Sequence, residues 1–176
     1  EWYPVYKKLY FDKKQWGIII AKASKTKDVW LDLFDLYSIK ILKDNFDNIY
    51  GIKLQVSVLF NYEVVSELSK LNLSKKKLII NIASLKIEEI QVIINDFELK
   101  LNPNELLIEI GFQSNPTELI DTGLSKIEVI KNNFKNRIVF ADHISYDNEY
   151  AIWVPVIAHL LGADLIEKHV MLDQNT

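Results

Sequence analysis

The chain has 176 residues, 49% of them hydrophobic, with 21 Lys and Arg against 24 Asp and Glu and no cysteine. A formal net charge of -3 lacks the basic excess that binding to a phosphate backbone requires, which argues against nucleic acid as a partner. The missing cysteines exclude disulfides, thiolate metal ligands and a Cys nucleophile. The length supports one buried core, so a single domain over residues 1–176 is expected, truncated at both ends because the chain opens on Glu1 and not on Met. Apolar runs are short and broken by charge, so neither a membrane span nor a secretory signal is expected, and a cytoplasmic location follows as an expectation.

In chain order, six stretches rich in Ile, Val and Leu read as buried strands. They are GIIIAKA from Gly17, YGIKLQV from Tyr50, KLIINIA from Lys77, LLIEIGF from Leu106, RIVFADH from Arg137 and ADLIEKHV from Ala163. Between them lie segments with helical spacing: SIKILKDNF with Ile39, Leu42 and Phe46, NYEVVSELSKL with Val64, Leu68 and Leu71, then IEEIQVIINDF, LSKIEVIKNNF and IWVPVIAHLLG. Strand starts recur roughly every 25 to 35 residues, the length of a strand, crossover and helix. The strands should therefore run parallel, and their near-continuous apolar character implies that both faces are covered.

Two α/β architectures fit this rhythm. An open doubly wound sheet often announces its ligand site with a Gly-rich first turn, and with only five glycines in the chain no such turn exists. A TIM-barrel type (β/α) repeat instead places its chemistry at the C-terminal ends of several strands. Polar residues accumulate there: Asn81, Glu109 with Gln113, Asp142 with His143, and Glu167 with His169. A complete barrel has eight units, so the six visible here predict a partial one. An isolated arc of six would leave two edge strands unpaired, which invites association and makes a homodimer an expectation.

Side chains alternate along a strand, so Glu167 and His169 share one face and Lys168 takes the other. If that face is the barrel interior, His143 on the neighbouring strand reaches the same space, and two imidazoles at one height are ligands for a divalent ion. The alternative is that each histidine satisfies only a local hydrogen bond. His159, on a covering helix, reads as structural. Glu109 can pair with Lys53 inside the barrel, as a structural ion pair or as a catalytic one.

The run IGFQSNPTELIDTGLSKIEVIKNNF, followed by VFADHISYDNEYAIWVPVIAHLLGADLIEKHVMLD, resembles the C-terminal part of the barrel in the sialic acid synthase (N-acetylneuraminate synthase) family. That family carries runs similar to GFQ-[AS]-[YF]-PT, a strand ending in SDH, and LGA-x-IIEKHFTLD, and LGADLIEKHVMLD matches the last without a gap. Upstream, YGIKLQVSVLFNY, LIINIASLKIEEI and LFDLYSIKIL resemble other family stretches with less force.

The resemblance implies a phosphoenolpyruvate-dependent C–C bond-forming transferase in carbohydrate biosynthesis, joining phosphoenolpyruvate to an N-acetylated amino sugar with Mn²⁺ or Mg²⁺. It puts the two metal-binding histidines on His143 and His169, and a carboxylate beside the metal on Glu167. It puts the phosphoenolpyruvate-binding lysine on Lys53 and an amide near that substrate on Gln113. Asn81 stands where the family has a phosphate-binding serine. Asn61 and Tyr62 match family residues expected to serve a loop-helix junction. Other departures are Val56 and Ala141 in place of serines and Asn115 in place of an aromatic. The family's first two strands, with a catalytic glutamate and a further lysine, and its antifreeze-like C-terminal domain have no counterpart. Two readings stay open: an active synthase, or a catalytically degenerate barrel serving as a binding or scaffold domain in a larger polysaccharide-biosynthesis protein. An unrelated metal-dependent aldolase barrel would share the histidine geometry without explaining IEKHVMLD.

Overall fold

A computed structural model describes residues 3–111, 114 and 116–170, and among these described residues it has eight α-helices and six strands. The order is α1 (Tyr3–Lys8), α2 (Lys13–Ala23), β1 (Trp30–Leu33), α3 (Leu36–Asp44), β2 (Gly51–Leu54), α4 (Val56–Leu59), α5 (Tyr62–Leu68), β3 (Lys77–Asn81), α6 (Ile87–Leu101), β4 (Glu105–Ile110), α7 (Ser125–Asn133), β5 (Ile138–Asp142), α8 (Trp153–Leu161) and β6 (Leu165–Lys168). The six strands form one sheet in sequential order, and every neighbouring pair is parallel. Five expected strands fall where the apolar runs predict them.

The first does not. Residues 17–23 are helical, because Asp12 caps the preceding turn: its carboxylate accepts from Gln15 N at 2.8 Å while the Gln15 side chain accepts from Asp12 N, also at 2.8 Å. Of the Ile18-Ile19-Ile20 run only Ile20 enters the core, and its two neighbours are exposed. A short apolar run does not distinguish strand from helix by itself, and the Asp-x-x-Gln signature here decides for the helix. The first strand is instead β1, in the run VWLDLF.

The two faces of the sheet differ. The convex face turns Ile52, Leu54, Leu78, Ile80, Ile108, Ile110 and Phe140 toward the helices, and these join the main core. On the concave face Ile79, Leu107 and Val139 form a smaller cluster with Trp30 and Leu165. Two residues further along each strand, on the same face, come Asp32, Lys53, Asn81, Glu109, Ala141 and Glu167. The concave side is thus layered, apolar at the floor and charged toward the C-terminal ends, as in the interior of a (β/α) barrel. Gly51 makes the floor possible: a Cβ there would lie 2.4 Å from the Trp30 ring, which covers it.

β1 and β6 are the edges of the arc, and each pairs on one side only among the described residues. The helix beside β6 keeps Ile152, Trp153, Val156 and Leu160 exposed around and along α8, and Ile166 on β6 is also partly open. Among the described residues no helix is long and apolar enough to cross a membrane.

Candidate active site

At the C-terminal mouth of the arc, β5 and β6 present the two histidines expected from the sequence. The register pairs Ala141 with Glu167 and Asp142 with Lys168, so His143 and His169 are the next pair up. Their ring centroids are 4.9 Å apart. Behind them, on the opposite face, Lys168 donates to Asp142 Oδ2 and, at 2.9 Å, to the Ala151 carbonyl. Asp142 Oδ1 in turn accepts from Ile144 N at 3.0 Å, which fixes the loop that begins at His143.

The Glu167 carboxylate completes a cluster with the two imidazoles: one ligand atom from each of His143, Glu167 and His169 lies within 4.8 Å of the others. Atoms on opposite sides of one ion are separated by about 4 to 4.5 Å when each bond is about 2.0–2.2 Å. Two imidazole nitrogens and a carboxylate oxygen suit a borderline or hard divalent cation, so the donor set fits such an ion with only small side-chain adjustment.

Below the cluster lies the charged layer. Lys53 is 8% exposed at its side chain, and its ammonium is 2.7 Å from both Glu167 oxygens, 2.9 Å from Glu109 Oε1 and 3.9 Å from Asp32 Oδ2. Burial alone would lower the Lys53 pKa, but the charge of Glu109 and the hydrogen bond to Glu167 outweigh it and the net shift is upward. Desolvation and the nearby Glu167 charge push Glu109 up to about 7, against the opposing pull of Lys53 and Asn81. Burial works the same way on Glu167, but its contacts with Lys53 prevail and hold it below the usual carboxylate range. Asp32 is raised, chiefly by burial. Glu109 therefore holds a proton more readily than Glu167, and the two carboxyl groups act as a coupled pair across Lys53.

Asn81 is fully buried. Its amide donates to Glu109 Oε1 at 2.7 Å, and its oxygen accepts from Ala83 N at 2.9 Å, so its role here is to orient Glu109. Val56, where the family pattern has serine, starts α4 and packs against the main core. Asn61 caps α5, accepting from Val64 N at 3.3 Å. His159 Nδ1 is 3.0 Å from the Ala163 carbonyl at the end of its own helix, a structural contact. Gln113 and Asn115 lie outside the described residues.

Three residues of the concave face escaped the sequence reading. Asp32 and Trp30 come from β1, and Gln55, at the end of β2, donates to Asp32 Oδ2 at 2.8 Å. The alternation in VWLDLF and the short spacing to β2 were the signal for them. With Lys53, Ile79, Val139, Leu165, Ile166 and Glu167, Trp30 and Asp32 line a cavity of about 390 Å³ in the hollow of the arc.

Comparison with known proteins places the chain in a family. The model of the NeuB family matches residues 1–176, and the chain belongs to that family. An uncharacterised protein of Methanocaldococcus jannaschii is 27% identical over 176 residues, covering 99% of this chain and 49% of its own length. Pseudaminic acid synthase of Campylobacter jejuni is 31% identical over 101 residues, 57% of this chain and 28% of the synthase. The crystal structure of N-acetylneuraminic acid (sialic acid) synthetase from Leptospira borgpetersenii superimposes with a TM-score of 0.79 at 22% identity, over 96% of this chain and 55% of that one, which establishes the likeness of fold. The chain spans about half the length of the archaeal relative and of the Leptospira synthetase.

Proposed function

We propose that this chain forms the metal-binding part of a nonulosonic acid synthase that condenses phosphoenolpyruvate with an N-acetylated amino sugar, and that it works in the cytoplasm. The observation that carries this reading is the convergence of His143, Glu167 and His169 donors within 4.8 Å at the C-terminal mouth of a parallel arc. Membership of the NeuB family and the identity with a pseudaminic acid synthase support it. His143, Glu167 and His169 would hold Mn²⁺ or Mg²⁺, which when bound supplies Lewis acidity toward a carbonyl oxygen. Lys53 grips both oxygens of Glu167 and fixes that carboxylate; a carboxylate has lone pairs enough for the ammonium and a further partner. Asn81 holds Glu109, and the apolar floor of Trp30, Ile79, Leu107, Val139 and Leu165 keeps water from the underside of the chamber. The test is release of phosphate from phosphoenolpyruvate and N-acetylmannosamine by the full-length gene product with Mn²⁺, alongside Mn²⁺ binding followed by electron paramagnetic resonance. Turnover lost on chelation is expected, and a protein that neither binds Mn²⁺ nor turns over sinks the proposal.

A second reading has its own support. Val56, Asn81 and Ala141 offer no hydroxyl where the family pattern has serines, and the Lys53 ammonium is enclosed by carboxylates. These favour a barrel that keeps a cation site and has lost condensation, acting as a binding or scaffold domain. Mn²⁺ binding without turnover on any hexosamine would select this reading.

A further inference from the structure

Two of the three donors in the metal cluster stand just past the ends of their strands. The last register pair of β5 and β6 is Asp142 with Lys168, and His143 and His169 are the residues that follow. The height and spacing of the two imidazoles therefore depend on what holds the strand ends together. Among the described residues β6 has β5 as its single strand neighbour, so that hold has to come from the β5 side.

Lys168 supplies it, from the face opposite the imidazoles. Its ammonium donates to Asp142 Oδ2 and, at 2.9 Å, to the Ala151 carbonyl. Asp142 Oδ1 accepts from Ile144 N at 3.0 Å, so the carboxylate that Lys168 holds also spans His143, whose own carbonyl accepts from Thr117 N at 2.9 Å. Ala151 lies at the far end of the loop that runs from His143 to the start of α8, and one ammonium thus ties the beginning of that loop to its end. The Asp142 side chain is fully buried and that of Lys168 is 34% exposed. A buried carboxylate deprived of its cation is costly, which keeps the pair together.

A second pair in the same sheet shows what such a contact does by itself. Lys77 on β3 and Glu105 on β4 are also register partners, with Lys77 Nζ 2.7 Å from Glu105 Oε2, but they lie at the N-terminal ends of their strands. That pair joins two strands at the end of the sheet away from the imidazoles. The pair of Asp142 and Lys168 has the same chemistry and adds the grip on the loop.

We infer that Lys168 is a positioning residue of the metal centre: by tying Asp142 to the end of the loop that His143 begins, it sets the spacing of His143 from Glu167 and His169. The inference rests on those three residues being the metal site of the proposed function. It deepens that reading by naming what fixes the donor set from outside it.

The test is Mn²⁺ binding followed by electron paramagnetic resonance on the full-length wild type, Lys168→Met and Lys77→Met. Lys168→Met should bind Mn²⁺ about tenfold more weakly or worse, as partners that orient metal ligands usually do when removed. At saturating Mn²⁺ its bound-ion spectrum should also differ from that of the wild type, because the donors no longer keep their spacing. Lys77→Met, which removes a cross-strand pair of the same kind, should match the wild type in both respects. Equal affinity in the wild type and Lys168→Met, or an equal loss in Lys168→Met and Lys77→Met, overturns the inference alone. A wild type that binds no Mn²⁺ overturns the metal reading and this inference with it. Should Lys168→Met not fold, Asp142→Asn takes its place, since it keeps an acceptor for Ile144 N and removes the charge that holds Lys168: weakened Mn²⁺ binding upholds the inference and unchanged binding overturns it.

Discussion

The convex and concave faces of the sheet are made by the same strands and obey different rules. On the convex side Ile52, Leu54, Leu78, Ile80, Ile108 and Phe140 are sealed under helices and join one apolar core. One residue away along the chain, Lys53, Asn81 and Glu109 are almost as deeply buried, yet they are tolerated only because each is held by another. The convex face is a packing problem that many residues could solve. The concave face is a matching problem in which the removal of one member strands the rest.

The largest effect expected from breaking this contrast is on the convex side. Phe140→Ala should cost about 3–5 kcal/mol, read from urea unfolding, because it empties a fully enclosed site. On the concave side Lys53→Met should cost about 3 kcal/mol by leaving buried carboxylates without their cation, and adding Glu109→Gln should recover part of that loss. A mutant cycle showing simple additivity would mean that the two groups do not act as a pair.

Two further measurements separate function from packing. His143→Ala and His169→Ala should each weaken Mn²⁺ binding by about tenfold or more while changing stability by less than about 1 kcal/mol, since both rings stand at the mouth and not in the core. The pH dependence of stability in metal-free protein should carry the mark of Glu109. Its folded pKa, pushed up to about 7, lies above its unfolded value, so the folded state binds the extra proton. Its contribution is therefore complete below the ordinary carboxylate range, declines as pH rises toward about 7, and is absent in Glu109→Gln. Glu167, held low, works in the opposite sense, and stability is lost as the pH falls through its folded value. The smallest effect belongs to the surface: Asp96→Ala removes an exposed pair with Lys100 on α6 and should change stability by less than about 0.5 kcal/mol.

How much of this was legible depended on which physical signal each residue carried. Five strands announced themselves as apolar runs with regular spacing, and the parallel arrangement followed from the length between them. The His143 and His169 positions followed from alternation and from strand ends at equal height, both local properties. What stayed hidden was long-range. Nothing in the sequence said that Asn81 would spend its amide on Glu109, or that Lys53 would close on Glu167, 114 positions away. Asp32 was missed for a different reason: residues 17–23 of the capped helix were read as a strand, so the true first strand, four residues long, went unread.

The arc's open seam has an electrical consequence. Trp30 and Asp32 on one rim and Leu165 and Glu167 on the other border the same hollow, so whatever spans the space between β1 and β6 becomes a wall of the chamber and sets its local dielectric. An apolar wall would strengthen the grip of Lys53 on its carboxylates, and a wet or charged one would loosen it. The chemistry of this site is thus written partly in side chains that belong to neither rim.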